Sequence, residues 1–202
     1  MIDGQKKVTA IVGTYRKGGI IDTAVDEILA SAREQGALAE KIHLTDTRIE
    51  FCTNCRTCAG QAGRERGTCP LSDDMAGILD KIEQSDVLVL ASPMNFGTVT
   101  AIMKRFIERL ICYACWPWGA MAPRKRTREN PKRAVVVVSS AAPAFLARYT
   151  TRITGLLKQA ADLMGARTTG VLFIGLAARK PHQDIGARAR RKARRLGRKL
   201  VQ

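Results

Sequence analysis

A chain of 202 residues, 46% of them hydrophobic, can bury a full core as one domain, so residues 1–202 are expected to fold as a single unit that needs no disulfides. No apolar run reaches membrane-spanning length and the first seven residues lack the apolar segment of a signal peptide, so a cytoplasmic protein without a membrane span is expected. The formal net charge of +16 excludes a neutral surface and asks for partners of opposite sign or a crowded basic face.

The first strand is read over about Lys7 to Val12, a short β-branched run that suits burial. It breaks at Gly13 into a small, basic, glycine-rich turn, Gly13-Thr14-Tyr15-Arg16-Lys17-Gly18-Gly19. A helix from Asp22 to about Gln35 follows, with Ala24, Ile28, Leu29 and Ala32 on one face and Gly36 as its stop. Strand, glycine turn and helix bring free backbone N–H groups and the positive end of a helix dipole to one point, where a phosphate is the natural guest. The turn has neither the Gly-Lys-Ser/Thr of a Walker loop nor the G-x-G-x-x-G of a dinucleotide fingerprint. A plain connecting turn with surface Arg and Lys is the competing reading of this stretch alone.

Leu38 to Leu44 alternates as a half-exposed second strand. The insertion over 51–70 then carries Cys52, Cys55, Cys58 and Cys69. Their C-x2-C-x2-C spacing plus a fourth Cys suits soft-metal ligation, iron–sulfur or zinc. A metal-free remnant, or free or disulfide-forming thiols, are the alternatives. Ser72-Asp73-Asp74 opens a helix with Met75, Ile78, Leu79 and Ile82 inward. Asp86 to Ala91 is a buried strand ending in the breaker-rich loop Ser92-Pro93-Met94-Asn95-Phe96-Gly97-Thr98. A helix from about Val99 to Cys112 leads to a lid-like loop over 115–131. Cys112 and Cys115 fit a packing role, with C-x-x-C redox chemistry as the alternative.

Ala134 to Val138 is the most apolar strand and ends in Ser139-Ser140-Ala141-Ala142-Pro143. A helix over about Phe145 to Met164 and a last strand over Val171 to Ile174 complete the alternation. The segment 184–201 reads as an amphipathic helix with an Ile/Ala/Leu stripe and an arginine-rich outer face. Five strands alternating with helices predict an α/β fold, a doubly wound parallel sheet with helices on both faces. The loops at Gly13, Ser92 and Ser139 would then converge beyond the carboxyl ends of three strands, which favours the phosphate reading of the first.

In this order, the Gly13–Gly19 turn, Phe51-Cys52-Thr53-Asn54-Cys55-Arg56-Thr57-Cys58, Asp73-Asp74-Met75 and Ser92-Pro93-Met94-Asn95-Phe96-Gly97 resemble the NADPH-dependent FMN reductase family, and within it the iron–sulfur flavoproteins. The resemblance spans about residues 7 to 175. It implies a flavodoxin-like fold, FMN as cofactor, NAD(P)H or a reduced protein as electron donor, a flavin, quinone or other acceptor, and a homodimer or homotetramer. On it, Thr14, Arg16, Lys17, Gly18 and Gly19 would hold the FMN phosphate. Pro93, Met94, Asn95, Phe96 and Gly97 would lie along the flavin ring, and Ser139, Ser140 and Ala141 would form a third contact. Thr14 stands where the family usually has Ser. Ile20 and Ile21 replace its usual Asn-Thr pair, so main-chain donors must do more of the work. Cys52, Cys55, Cys58 and Cys69 would hold a [4Fe-4S] cluster, with a longer last gap than is usual.

No protein acid/base pair is implied, because the flavin carries the chemistry. His43 and His182 are read as surface residues. An acidic electron carrier such as a ferredoxin would suit the basic surface. Two other classes compete: a non-enzymatic flavodoxin-type carrier, which is usually acidic, and a nucleic-acid-binding regulator built from a zinc module and a basic tail. The parallel-sheet pattern and the flavin-type loops speak against the second.

Overall fold

The computed structural model describes residues 4–126 and 131–202. Its centre is a five-stranded parallel sheet of β1 (Lys7–Val12), β2 (Leu38–His43), β3 (Val87–Pro93), β6 (Lys132–Ser139) and β7 (Ala166–Ile174), in the order β2-β1-β3-β6-β7. This is the doubly wound, flavodoxin-like arrangement expected. The chain leaves β1 toward β2 on one side and returns to β3 on the other, so the sheet reverses between β1 and β3.

Each inner strand is apolar on both faces because helices cover both. Along β3, Val87, Val89 and Ala91 face one layer while Leu88 and Leu90 face the other. The first layer is α1 (Ile20–Arg33) and α7 (Ala187–Val201). The second is α3 (Met75–Gln84), α4 (Ala101–Arg109) and α6 (Ile153–Leu163). Burying each such Val or Leu contributes roughly 1.5–3 kcal/mol, which is why the alternating helical stripes dock on the sheet. No helix among the described residues is long and apolar enough to cross a membrane.

Several boundaries differ from those the sequence suggests, each for a local reason. Helix α1 begins at Ile20, because Gly19 is extended and serves as its N-cap. The expected helix over Phe145 to Met164 is two helices, α5 (Ala144–Thr150) and α6. The hydroxyls of Thr150 and Thr151 donate back to the carbonyls of Leu146 and Ala147, and Thr151 turns extended. The helix expected to reach Cys112 stops at Arg109, and a 3-10 turn carries the chain to Tyr113. The lid-like loop contains a two-residue antiparallel pair, β4 (Ala114–Cys115) with β5 (Arg124–Lys125); its residues 127–130 lie outside the described ones. The last helix starts at Ala187, leaving Asp184 in the preceding segment.

The cysteine insertion is tied down by arginines. It contains one short helix, α2 (Thr57–Gly60). Arg126 donates to the carbonyls of Cys58, Gln61, Gly63 and Cys112. Arg109 donates to Glu50 O at 2.8 Å and pairs with Asp73 at 2.5 Å, both side chains being essentially buried. Asp73 also accepts the amides of Glu50 and Met75. Arg56, in the left-handed region at φ 59°, sits 3.7 Å from the Trp116 ring centre and 4.3 Å from that of Trp118.

Candidate functional site

A cavity of about 1070 Å³ opens beyond the carboxyl ends of the strands, where the sheet reverses. All three breaker-rich loops line it: Thr14 to Gly19 after β1, Pro93 to Asn95 after β3, and Ser139 to Ala141 after β6. The sequence therefore located these three walls.

The loops are fastened to one another through few bonds. Thr100 caps α4 by accepting Met103 N, and its hydroxyl donates to Gly13 O at 2.6 Å. Its amide donates to Ser92 Oγ at 3.2 Å, so one threonine joins the first two loops. A Cβ at Gly13 would lie 2.6 Å from Met103 Cβ, so only glycine allows this approach. Met94 N donates to Ser139 O at 2.8 Å, which joins the second loop to the third.

The first loop is shaped by its own hydrogen bonds. Arg16 N donates to Thr14 Oγ1 at 3.2 Å, and Gly18, at φ +71°, donates its amide to Asp22 at 2.6 Å. Gly19 N donates to Arg16 O. The amides of Gly18 and Gly19, expected to be phosphate donors, thus already serve the turn. The first-turn amides of α1, at Ile20 and Ile21, have no intrahelical acceptor and lie at the cavity wall. Asp22 is buried and also pairs with Lys41 at 2.8 Å; it lies 3.1 Å from Nε2 of His43, whose side chain is largely covered here and is not the surface residue the sequence suggested. Burial alone would raise its carboxyl. The hydrogen bonds from Lys41 and the Gly18 amide, with the Lys41 charge, outweigh that and hold it below the usual carboxylate range.

The second loop closes on a tight turn in which Asn95 and Thr98 exchange amide–carbonyl bonds across Phe96 (φ 47°) and Gly97 (φ 76°). This leaves Phe96 fully exposed at the tip; it and Gly97 stand outside the cavity wall, which ends at Asn95. In the third loop, Ser140 Oγ donates to Ala142 O, so that hydroxyl is occupied within the loop.

A fourth wall was not anticipated. Ala177, Ala178 and Lys180 to Asp184, after β7, also line the cavity. Ala177 N donates to Ser140 O, and Arg16 Nη1 reaches Pro181 O at 3.5 Å. His182, read as a surface residue, is exposed at this rim. The available signal was positional: every loop at the carboxyl end of such a sheet is a candidate wall.

The cysteines lie elsewhere. Cys58 is buried, Cys52 and Cys69 are half-buried and Cys55 is exposed, and none forms a disulfide. Thiolates are the right donors for iron and sulfur. Among the described residues, however, no three Cys, His, Asp or Glu side chains converge at metal-binding distance, so the donor set does not fit a cluster as arranged here. The thiols do share one neighbourhood. Burial, then the nearby Cys69 and Cys52, push the Cys58 thiol up, and burial drives Cys112 to about 12. Cys55 is pulled down by hydrogen bonds from the Thr57 hydroxyl and amide. A second cavity, of about 630 Å³, adjoins Cys69 and Cys112 at the amino ends of β6 and β7, away from the first.

Comparison with known proteins places this geometry. An iron-sulfur flavoprotein of Archaeoglobus fulgidus is 36% identical over 111 residues, covering 55% of this chain and 48% of that protein. One of Methanocaldococcus jannaschii is 36% identical over 103 residues, 51% of each. The chain thus spans about half the length of the curated relatives it matches. An FMN-dependent NADH-azoreductase from Bacillus anthracis, solved in complex with FMN, superposes with a TM-score of 0.70 at 13% identity, covering 98% of this chain and 100% of that one. An NAD(P)H:quinone oxidoreductase from Methanothermobacter marburgensis superposes at 0.66 with 18% identity, covering 97% and 99%. At these identities the superpositions show the fold alone. The sequence model of the NADPH-dependent FMN reductase family matches residues 6–153, and with that match spanning the first three walls of the cavity, the chain belongs to this family.

Proposed function

We propose that the cavity binds FMN and that the protein is an oxidoreductase passing electrons from NAD(P)H to a flavin, quinone or other acceptor. The observation that carries this reading is the convergence of the loops at Thr14, Pro93 and Ser139 on one cavity at the sheet's reversal. FMN, when bound, supplies the hydride-accepting and electron-donating chemistry.

The chain's own residues then bind and orient. Thr14 and the Arg16 guanidinium face the phosphate end, with the first-turn amides of Ile20 and Ile21 and the positive end of the α1 dipole behind them, while Lys17 lines the cavity with its ammonium paired to Asp46 at 2.7 Å. The departure of Ile20-Ile21 from the family's Asn-Thr pair makes those amides and Arg16 the main holds. Pro93 to Asn95 form the wall along the ring, and Phe96 and Gly97 are its outer turn. Ser139 and Ser140 spend main-chain groups on Met94, Ile174 and Ala177, so the third loop meets the ring's polar edge, where negative charge develops on reduction, through the Ala141 amide.

The basic surface speaks against the flavodoxin-type carrier. Cys52, Cys55, Cys58 and Cys69 remain the residues that would hold a [4Fe-4S] cluster, by resemblance to the iron-sulfur flavoproteins; as arranged they do not converge, and no electron route is drawn through them. The test is anaerobic mixing of FMN-loaded protein with NADH or NADPH. The visible flavin absorbance is expected to bleach and to return when a quinone is added. Protein that takes up FMN yet neither bleaches with a nicotinamide nor reoxidises with a quinone contradicts the reading.

A further inference from the structure

Helix α7 carries three different faces. Ala193, Leu196, Gly197 and Leu200 are buried against α1 and the sheet. Arg190 and Arg194 flank them and pair with Glu27, Asp184 and Glu34. The third face is Arg188, Arg191, Lys192, Arg195, Arg198 and Lys199. Steps of three, one, three, three and one place them in one continuous stripe along the helix. None of the six has a carboxylate partner among the described residues, and five of them are exposed.

Helices α5 and α7 flank the edge strand β7 from its two faces, Ala147 of α5 packing on one side and Leu196 and Leu200 of α7 on the other. At that edge Arg148 of α5 reaches over the Phe173 ring, 5.5 Å from its centre, and its charge, after burial and with those of Arg195 and Arg188, lowers Lys192 of α7. On α5, Phe145 is 70%, Leu146 48% and Tyr149 90% exposed, while Ala147 is the buried side chain. Phe145 and Tyr149, one turn apart, point away from the core with Arg148 beside them. Helix α5 leaves the loop that forms the third wall of the cavity.

We propose that α5 and the outer stripe of α7 form a docking surface for an anionic phospholipid bilayer. A row of cations meets the headgroup phosphates while the apolar tips of Phe145, Leu146 and Tyr149 enter the acyl boundary, the combination that interfacial membrane binding requires. An anionic polymer would use the cations alone and leave the aliphatic Leu146 in water. A second copy of this chain would bring the same uncompensated charges against each other. The surface stands apart from the flavin reading, since lipid binding needs no cofactor.

The test is co-sedimentation of the full chain with vesicles of phosphatidylcholine alone and of phosphatidylcholine and phosphatidylglycerol in equal parts. Binding is expected only to the second and is expected to weaken as salt is raised. Reversing three cations in the R188E/R191E/R195E variant is expected to lower partitioning by about a hundredfold or more. The F145S/Y149S variant is expected to lower it by about tenfold at unchanged charge. Both variants should keep the parent's melting temperature and FMN uptake, which separates loss of docking from loss of fold. Equal binding to both vesicles overturns the proposal. So does F145S/Y149S that binds like the parent, or a DNA or RNA oligonucleotide that competes the protein off the anionic vesicles, which would reassign the stripe to nucleic acid.

Discussion

At Gly13 the first strand passes so close to α4 that a single methyl group decides whether the first two loops can meet. Gly13→Ala puts that methyl against Met103 and Thr100, and it is expected to cost about 1–3 kcal/mol of stability and to weaken FMN uptake together, read by urea unfolding and a flavin titration. Arg16→Ala leaves the fold untouched and is expected to weaken FMN binding about tenfold, because it removes a charged contact to the phosphate end. The buried Asp73–Arg109 pair is a separate test of what holds the cysteine insertion. Arg109→Met leaves the Asp73 carboxylate unpaired, and about 3–5 kcal/mol of stability should be lost. Burial works to raise the Asp73 carboxyl, but the hydrogen bond from Arg109 and the amides of Glu50 and Met75 hold it below its ordinary range. A carboxyl lower in the folded than in the unfolded chain stabilises fully above its unfolded value and loses that contribution as pH falls through the folded one. Unfolding measured from about pH 5 downward should therefore steepen in the parent and be flatter in Asp73→Asn. At this scale the sequence disclosed Thr14, Arg16, Met94 and Asn95, because glycine and proline mark loop ends. It did not disclose Lys180 to Asp184, whose place at the cavity follows only once β7 is paired with β6.

Helices and strands were legible wherever burial is periodic. The inner strands β1, β3 and β6 announce themselves by apolar, valine-rich runs, β2 by alternation and β7 only in its apolar second half, and α1 and α3 by stripes at helical spacing. The division of α5 from α6 was not, since it rests on two threonine hydroxyls turning back on the helix backbone. Nor was the cysteine insertion, whose shape is set by arginine side chains from distant elements and not by its thiols. That dependence can be measured. Arg56→Ala removes the cation held between Trp116 and Trp118, and a shift in tryptophan emission with little change in melting temperature is expected. The crossing of α1 and α7 gives an opposite case. Alanine is ordinarily a better helix residue than glycine by about 1 kcal/mol. At Gly197 its methyl would strike the Ile28 carbonyl, and the net effect of Gly197→Ala is expected to be about 1–3 kcal/mol destabilising by thermal unfolding.

In the whole molecule the two ends of the sheet have different tasks. The carboxyl ends of β1, β3, β6 and β7 build one open cavity around the reversal of the sheet, while the amino ends and the cysteine insertion form a second, arginine-stapled region. The parallel order of the strands brings loops more than a hundred residues apart into the same wall, which composition and spacing cannot state but alternation of elements already implies. The central claim is that this cavity is an FMN site, and a fluorescence titration of the purified chain with FMN tests it most directly. The account predicts saturable quenching at one FMN per chain, weakened by Arg16→Ala and untouched by Arg188→Glu. A chain that leaves FMN fluorescence unchanged, or binds it equally well without Arg16 and with the Gly13 turn disrupted, would contradict it.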